Sequence, residues 1–146
     1  PDDYRLIILD GKTRGLKLLC ANPDIIVDVG DKRIYCAGAI AQAYTEAGGT
    51  SLYFGKPHSP IYELAYTRLA ATTGRRIDAD RILCIGDGIN TDIRGGVAED
   101  LDTLFITGGL AASEINETNG KPNERELASF IANHKLSPTF AISGLR

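Results

Sequence analysis

Arg81-Ile82-Leu83-Cys84-Ile85-Gly86-Asp87-Gly88-Ile89-Asn90-Thr91-Asp92 runs from an almost continuously apolar stretch into a glycine-framed acidic turn. An apolar run of this length, bounded by turn residues, predicts a strand buried on both faces. The two glycines let the backbone turn tightly and approach a ligand closely. Asp87 and Asp92 stand on either side of that turn. Two carboxylates at a strand end suit a hard cation such as Mg²⁺ that bridges protein and phosphate oxygens. They equally suit a plain turn in which Asp87 opens the bend and Asp92 caps a helix.

The neighbouring segments repeat the alternation. Ser51-Leu52-Tyr53-Phe54 and Thr103-Leu104-Phe105-Ile106-Thr107 predict strands, and Pro138 to Ile142 a last one. Helices are predicted from Ser59-Pro60 to Gly74, from Thr91 to Glu99 and from Glu124 to Asn133. The first of these carries an apolar stripe of Ile61, Leu64, Ala65 and Leu69. Short apolar strands alternating with helices imply an α/β fold with a mostly parallel sheet, a Rossmann-like three-layer sandwich. Ligands in such sheets gather at the carboxyl ends of the strands. Those ends are Gly55-Lys56-Pro57-His58, Gly86 to Asp92, and Gly108-Gly109. The polar segment 108–123 reads as a long loop.

The first third is less regular. Asp2 to Arg14 predicts a helix weakened by Gly11 and Gly15. Leu16 to Ala21 predicts a buried strand closed by Asn22-Pro23-Asp24, and Ile25 to Val29 a short one. Gly30 to Arg33 predicts a tight turn, and Ala37 to Ala47 a helix ended by Gly48-Gly49. Asp10-Gly11-Lys12-Thr13 lacks a paired aspartate two residues on, and the next strand follows too soon for a crossover, so it reads as a helix end.

Composition sets bounds. The 146 residues are 43% hydrophobic and 24% charged, with a formal net charge of −3. That charge offers no basic field for nucleic acid or anionic lipid, and the short apolar runs predict no membrane span. The three cysteines, Cys20, Cys36 and Cys84, are odd in number and lack CxxC spacing, which suggests neither a disulfide scaffold nor a zinc site. Cys20 and Cys84 read as reduced core residues of a cytoplasmic protein. The sequence opens on Pro1 and contains no methionine, and we therefore expect a piece of a longer protein.

Other chemistries fit less well. Gly86-Asp87-Gly88 opens like a dinucleotide fingerprint, but Thr91 stands where the third glycine belongs. A calcium loop fails because Ile89 would have to supply an oxygen ligand. Lys56, framed by Gly55 and Pro57, can neutralise a transferring phosphoryl group, although a lone lysine is more often a solvated one. His58 reads as a loop residue, and His134 as a surface residue after a helix.

Taken together, Cys20-Ala21-Asn22-Pro23-Asp24, Tyr35-Cys36-Ala37-Gly38-Ala39, Tyr53-Phe54-Gly55-Lys56-Pro57 and Gly86-Asp87-Gly88-Ile89-Asn90-Thr91-Asp92-Ile93 resemble, in order and spacing, class II subclass A of the haloacid dehalogenase superfamily. The resemblance implies a Rossmann-like core with an inserted cap, residues 1–50 being the second half of the cap and 51–146 the later part of the core. It implies that Lys56 steadies the phosphate, that Asp87 binds Mg²⁺, and that Asp92 has a metal-shell or structural role. Gly88, Asn90 and Thr91 would approach the substrate phosphate. The implied activity is hydrolysis of a small phosphorylated metabolite through an aspartyl-phosphate. The nucleophilic aspartate would lie upstream of Pro1, leaving this chain alone inactive. A homodimer is compatible with the resemblance. The competing expectation is a non-catalytic domain that binds phosphate and Mg²⁺ for regulation.

Overall fold

The computed structural model describes residues 1–30, 32–116 and 121–145. The chain divides into two compact units, Pro1–Ile61 and Tyr62–Arg146.

In the first unit, a 3₁₀ turn at Asp2–Tyr4 leads into helix α1, Arg5–Thr13. Gly15 takes a positive φ, and Leu16 N–H donates back to Gly11 C=O at 3.0 Å, the bond pattern that ends helices at glycine. A Cβ at Gly11 would meet the Tyr44 ring at 3.4 Å, an ordinary contact distance, so the ring packs against this face of the helix. Tyr44 belongs to α2, Ala37–Glu46, and its hydroxyl donates to Leu16 C=O at 2.6 Å. Strands β1 (Lys17–Cys20) and β4 (Thr50–Tyr53) pair in parallel, Cys20 opposite Tyr53. Strands β2 (Ile26–Val29) and β3 (Lys32–Tyr35) form an antiparallel hairpin.

The strand predicted as buried is buried on one side only. Successive residues face opposite ways, so Cys20 is enclosed while Leu19 is 68% exposed. The predicted turn at 30–33 is shorter than expected, since β3 begins at Lys32; Asp31 lies outside the described residues.

Helix α3, Ser59–Thr73, begins in the first unit and continues into the second. The expected aliphatic stripe faces inward only in part, with Ile61 and Leu69 half-buried. Leu64 is 50% exposed, whereas Tyr62 is buried. Gly95 explains this, because a Cβ at Gly95 would collide with the Tyr62 ring and hydroxyl. A glycine on one helix therefore selects an aromatic on the other.

The second unit holds the strands β5 (Leu83–Gly86), β6 (Asp102–Ile106) and β7 (Phe140–Ile142), all parallel in the order β5-β6-β7. Strand β5 is not buried on both faces as expected: Leu83 and Ile85 are 44% and 47% exposed, and Cys84 is only half-buried, contrary to its expected core position. The β6–β7 register is pinned by a reciprocal pair: Thr103 N–H donates to Thr139 Oγ1, and Thr139 N–H to Thr103 Oγ1, both at 3.1 Å. This satisfies the fully buried Thr103 hydroxyl, which would otherwise be costly to enclose. The core gathers Ile89, Ile93, Phe105, Ala111, Ile115 and Phe130. Helix α5, Glu124–His134, supplies Phe130, stacked on Phe105 with ring centroids 6.0 Å apart. Its N-terminus is capped by the Asn123 side chain, which accepts from the Arg125 and Glu126 amides. Ala111 and Ile115 make the start of the expected polar loop part of this core; residues 117–120 lie outside the described residues.

Among the described residues no helix is long and apolar enough to cross a membrane.

Candidate metal and phosphate site

The acidic turn sits at the carboxyl end of β5. Parallel pairing places the end of β6, with Gly108 and Gly109 just beyond it, at the same edge. Gly108 N–H donates to Ser143 C=O at 2.9 Å, which brings the end of β7 to that edge as well.

Both carboxylates are held by backbone amides. Asp87 Oδ2 accepts from Leu110 N–H at 3.2 Å. Asp92 Oδ2 accepts from Gly88 N–H at 3.0 Å. Glycines provide the room. A Cβ at Gly109 would run into the Asp87 side chain, one at Gly86 into that of Asp92, and one at Gly88 into Thr91 Oγ1. Three of the glycines around the turn are thus seats for polar side chains.

The backbone between the two acids is unusual. The helix expected from Thr91 starts earlier, as a π-helical turn over Ile89–Ile93 that leads into α4, Arg94–Ala98. Gly88 C=O accepts from the amides of Thr91, Asp92 and Ile93, at 3.2, 2.8 and 3.2 Å. Turns of this width inside helices recur at functional sites. Ile89 and Ile93 anchor the turn in the core, so its polar residues are mounted on a rigid base.

Asp87, Gly88, Thr91 and Asp92 are therefore gathered in one turn. Asn90 is in the same turn but exposed, and its Oδ1 accepts from Arg94 Nη2 at 2.8 Å. Lys56 belongs to the first unit. It is exposed and follows β4 in a short turn closed by His58 N–H donating to Gly55 C=O at 3.0 Å, with a cis bond between Lys56 and Pro57. The His58 ring stacks on Tyr53 at 4.9 Å between centroids. Gly55 is buried because a Cβ there would strike Pro23 Cδ and lie 2.7 Å from Ala21 C=O. The Asn22-Pro23 turn and the Lys56 turn are packed together. Sequence inspection missed Leu110, whose contribution is a backbone amide and leaves no residue-type signal.

Buried Tyr62 and half-buried Cys84 lie in the second unit, with Asp92 among the charges acting on each. Burial pushes the Tyr62 hydroxyl up to about 12, with Cys84, Asp92, Glu99 and Tyr66 adding to it. Burial likewise raises the Cys84 thiol, followed by Asp92 and Glu99.

Among the described residues no group of three or more His, Cys, Asp or Glu is arranged to hold a metal ion. Among the described residues the carboxylates gathered at this edge are those of Asp87 and Asp92. Mg²⁺ is commonly held by one or two carboxylates, with water and phosphate oxygens completing its shell, and such a pair is compatible with that requirement.

The family described as HAD-hydrolase-like matches residues 53–132, more than half of the chain. A haloacid dehalogenase-like hydrolase from Brucella suis 1330 is 38% identical, with a TM-score of 0.79 over 100% of this chain and 50% of its own. A dihydroxyacetone phosphatase from Corynebacterium glutamicum is 26% identical over 66% of this chain and 34% of its own length. An acid sugar phosphatase from Staphylococcus haemolyticus is 26% identical over 75% of this chain and 40% of its own. The chain spans about half or less of each relative.

Proposed function

The chain belongs to the HAD-like hydrolases, and from that premise we propose that it forms the metal- and phosphate-binding half of a phosphatase. The observation that carries this is the pair of amide-held acids, Asp87 and Asp92, at the carboxyl edge of three parallel strands. The substrate class is a small phosphate monoester, a proposal supported by the phosphatases among the relatives.

In this proposal Asp87 holds a Mg²⁺ ion, and Asp92 fixes the turn that presents it. The metal, when bound, offsets the charge of the phosphate dianion. Lys56 supplies a second positive charge toward the phosphoryl oxygens. Gly88 and Thr91 border the phosphate, with Asn90 at the outer rim. An aspartate from outside these 146 residues attacks phosphorus, and the bond to the leaving oxygen breaks. Water then attacks the aspartyl-phosphate and releases inorganic phosphate, regenerating the carboxylate. A second acid protonates the leaving oxygen and later takes a proton from that water. On this account the 146 residues alone do not turn over substrate.

We assign residues 1–50 to a cap and 51–146 to the core, with the start of the family match at residue 53 in support; the compact units divide later, between Ile61 and Tyr62, because β4 pairs with β1. A cytoplasmic location and a homodimer are part of the same proposal. The test is a screen of the complete protein over sugar phosphates, nucleotides and phosphoglycolate, with Mg²⁺ or with chelator. Metal-dependent phosphate release supports the proposal. Magnesium binding without release of phosphate from any of them contradicts it and leaves a non-catalytic binding domain.

A further inference from the structure

We propose that Cys20 and Cys36 form a dithiol pair which a hydroperoxide oxidises to a disulfide, and that closing it unseats the turn carrying Lys56. The two residues are 16 apart in sequence, and one residue joins them in the fold. Cys20 Sγ lies 3.2 Å from Asn22 C=O, and Asn22 Nδ2 donates to Cys36 Sγ at 3.2 Å. Both sulfurs are free thiols. Cys36 is partly exposed at the start of α2, whereas Cys20 is enclosed at the end of β1. Burial raises the Cys20 thiol, the Asn22 hydrogen bond lowers it, and the charge of nearby Cys36 raises it again. Cys36 is thus the thiol that meets solvent, and Cys20 the one that resolves.

The chemistry balances. The Cys36 thiolate attacks the hydroperoxide O–O bond, forming a sulfenic acid and releasing the alcohol, or water from hydrogen peroxide. The Cys20 thiol then displaces the hydroxyl as water, forming the S–S bond. Two thiols lose two electrons, and the hydroperoxide gains them.

A disulfide requires the two Cβ atoms to approach within about 4.5 Å. Asn22 is bonded to both sulfurs, through its backbone carbonyl to Cys20 and its side chain to Cys36, with its Oδ1 also accepting from Asp24 N–H at 3.1 Å. Closure therefore displaces the Asn22-Pro23 turn. Pro23 is packed on Gly55, next to Lys56. Phe54 N–H is bonded to Cys20 C=O at 3.0 Å, a second link from the cysteine to the same turn. The loss of turnover expected on oxidation rests on the reading of Lys56 given above, but the disulfide and its local effect do not.

The test treats the complete protein with hydrogen peroxide and digests it without reductant. Trypsin cuts at Lys32 and Arg33 place Cys20 and Cys36 on separate peptides, so a link between them is visible as one joined species. We expect that species, reversed by a dithiol reductant, absent in Cys36→Ser and retained in Cys84→Ser. Hydrogen exchange at Phe54 and His58 should quicken by about tenfold in the oxidised wild type, and return on reduction. Comparing two states of one protein avoids reliance on the folding of a variant. Unlinked Cys20 and Cys36 after peroxide, or a link that leaves exchange at Phe54 and His58 unchanged, would overturn the proposal.

Discussion

The Gly88 amide donates to Asp92 Oδ2 at 3.0 Å, so the backbone between the two acids of the turn is tied to the second of them. The turn holds its shape through this bond and through the three amides that converge on Gly88 C=O. Asp92 therefore acts first as a brace, and Asp87 is the acid it leaves in position.

Removing the brace strands a buried donor. Asp92→Ala leaves Gly88 N–H without its acceptor and should cost about 1–3 kcal/mol. Asp92→Asn keeps a carbonyl oxygen at the same place and should cost less. Urea unfolding midpoints of the two variants rank them. Equal stabilities would argue against a bracing role.

Gly109 is a seat for Asp87. Gly109→Ala places a methyl group on the Asp87 side chain and must shift the carboxylate. Misplacement on this scale should reduce metal-dependent turnover of the complete protein by about 100-fold. Gly144→Ala is the control, since a Cβ there meets nothing within 4 Å.

The core prediction concerns Phe105, fully buried and stacked on Phe130. Phe105→Ala should destabilise the second unit by about 3–5 kcal/mol. A loss below 1 kcal/mol, on the order of an exposed substitution, would mean that the β6–α5 packing is not what holds this unit.

Alkali should loosen the second unit through Tyr62. Its hydroxyl is raised from 10.0 to about 12 in the folded chain. Above pH 10 the unfolded chain has released this proton and the folded chain still retains it. Stability from this group is thus complete below pH 10 and is lost as pH rises toward 12, by roughly 2 kcal/mol. Tyr62→Phe should flatten that part of a stability–pH profile measured by denaturant unfolding.

Much of this was legible in the sequence, for identifiable reasons. The β5 strand and its acidic turn declare themselves because an apolar run stops at glycines and acids. The helix beginning at Ser59 was also clear, yet its buried face was misjudged. Periodicity pointed to Leu64, whereas the partner surface offers a gap at Gly95 that only Tyr62 fills. Sequence patterns record which residues are apolar, not which neighbour has a hole. For the same reason Leu19 looked buried although a two-stranded sheet leaves one of its faces open. The π-helical start at Ile89 had no signal of its own, since it arises from one carbonyl, that of Gly88, serving three amides. The Leu110 contact with Asp87 was hidden because any residue but proline could supply that amide.

The proposed function gives Asp87 a metal ion to hold and Lys56 the charge of a phosphate monoester to offset. The most direct measurement is turnover of p-nitrophenyl phosphate by the complete protein, with Mg²⁺ and with EDTA, for the wild type, Asp87→Asn and Lys56→Ala. The account predicts turnover that EDTA abolishes, falling by about 100-fold or more in each variant. Turnover that survives EDTA, or wild-type rates in Asp87→Asn, would contradict it.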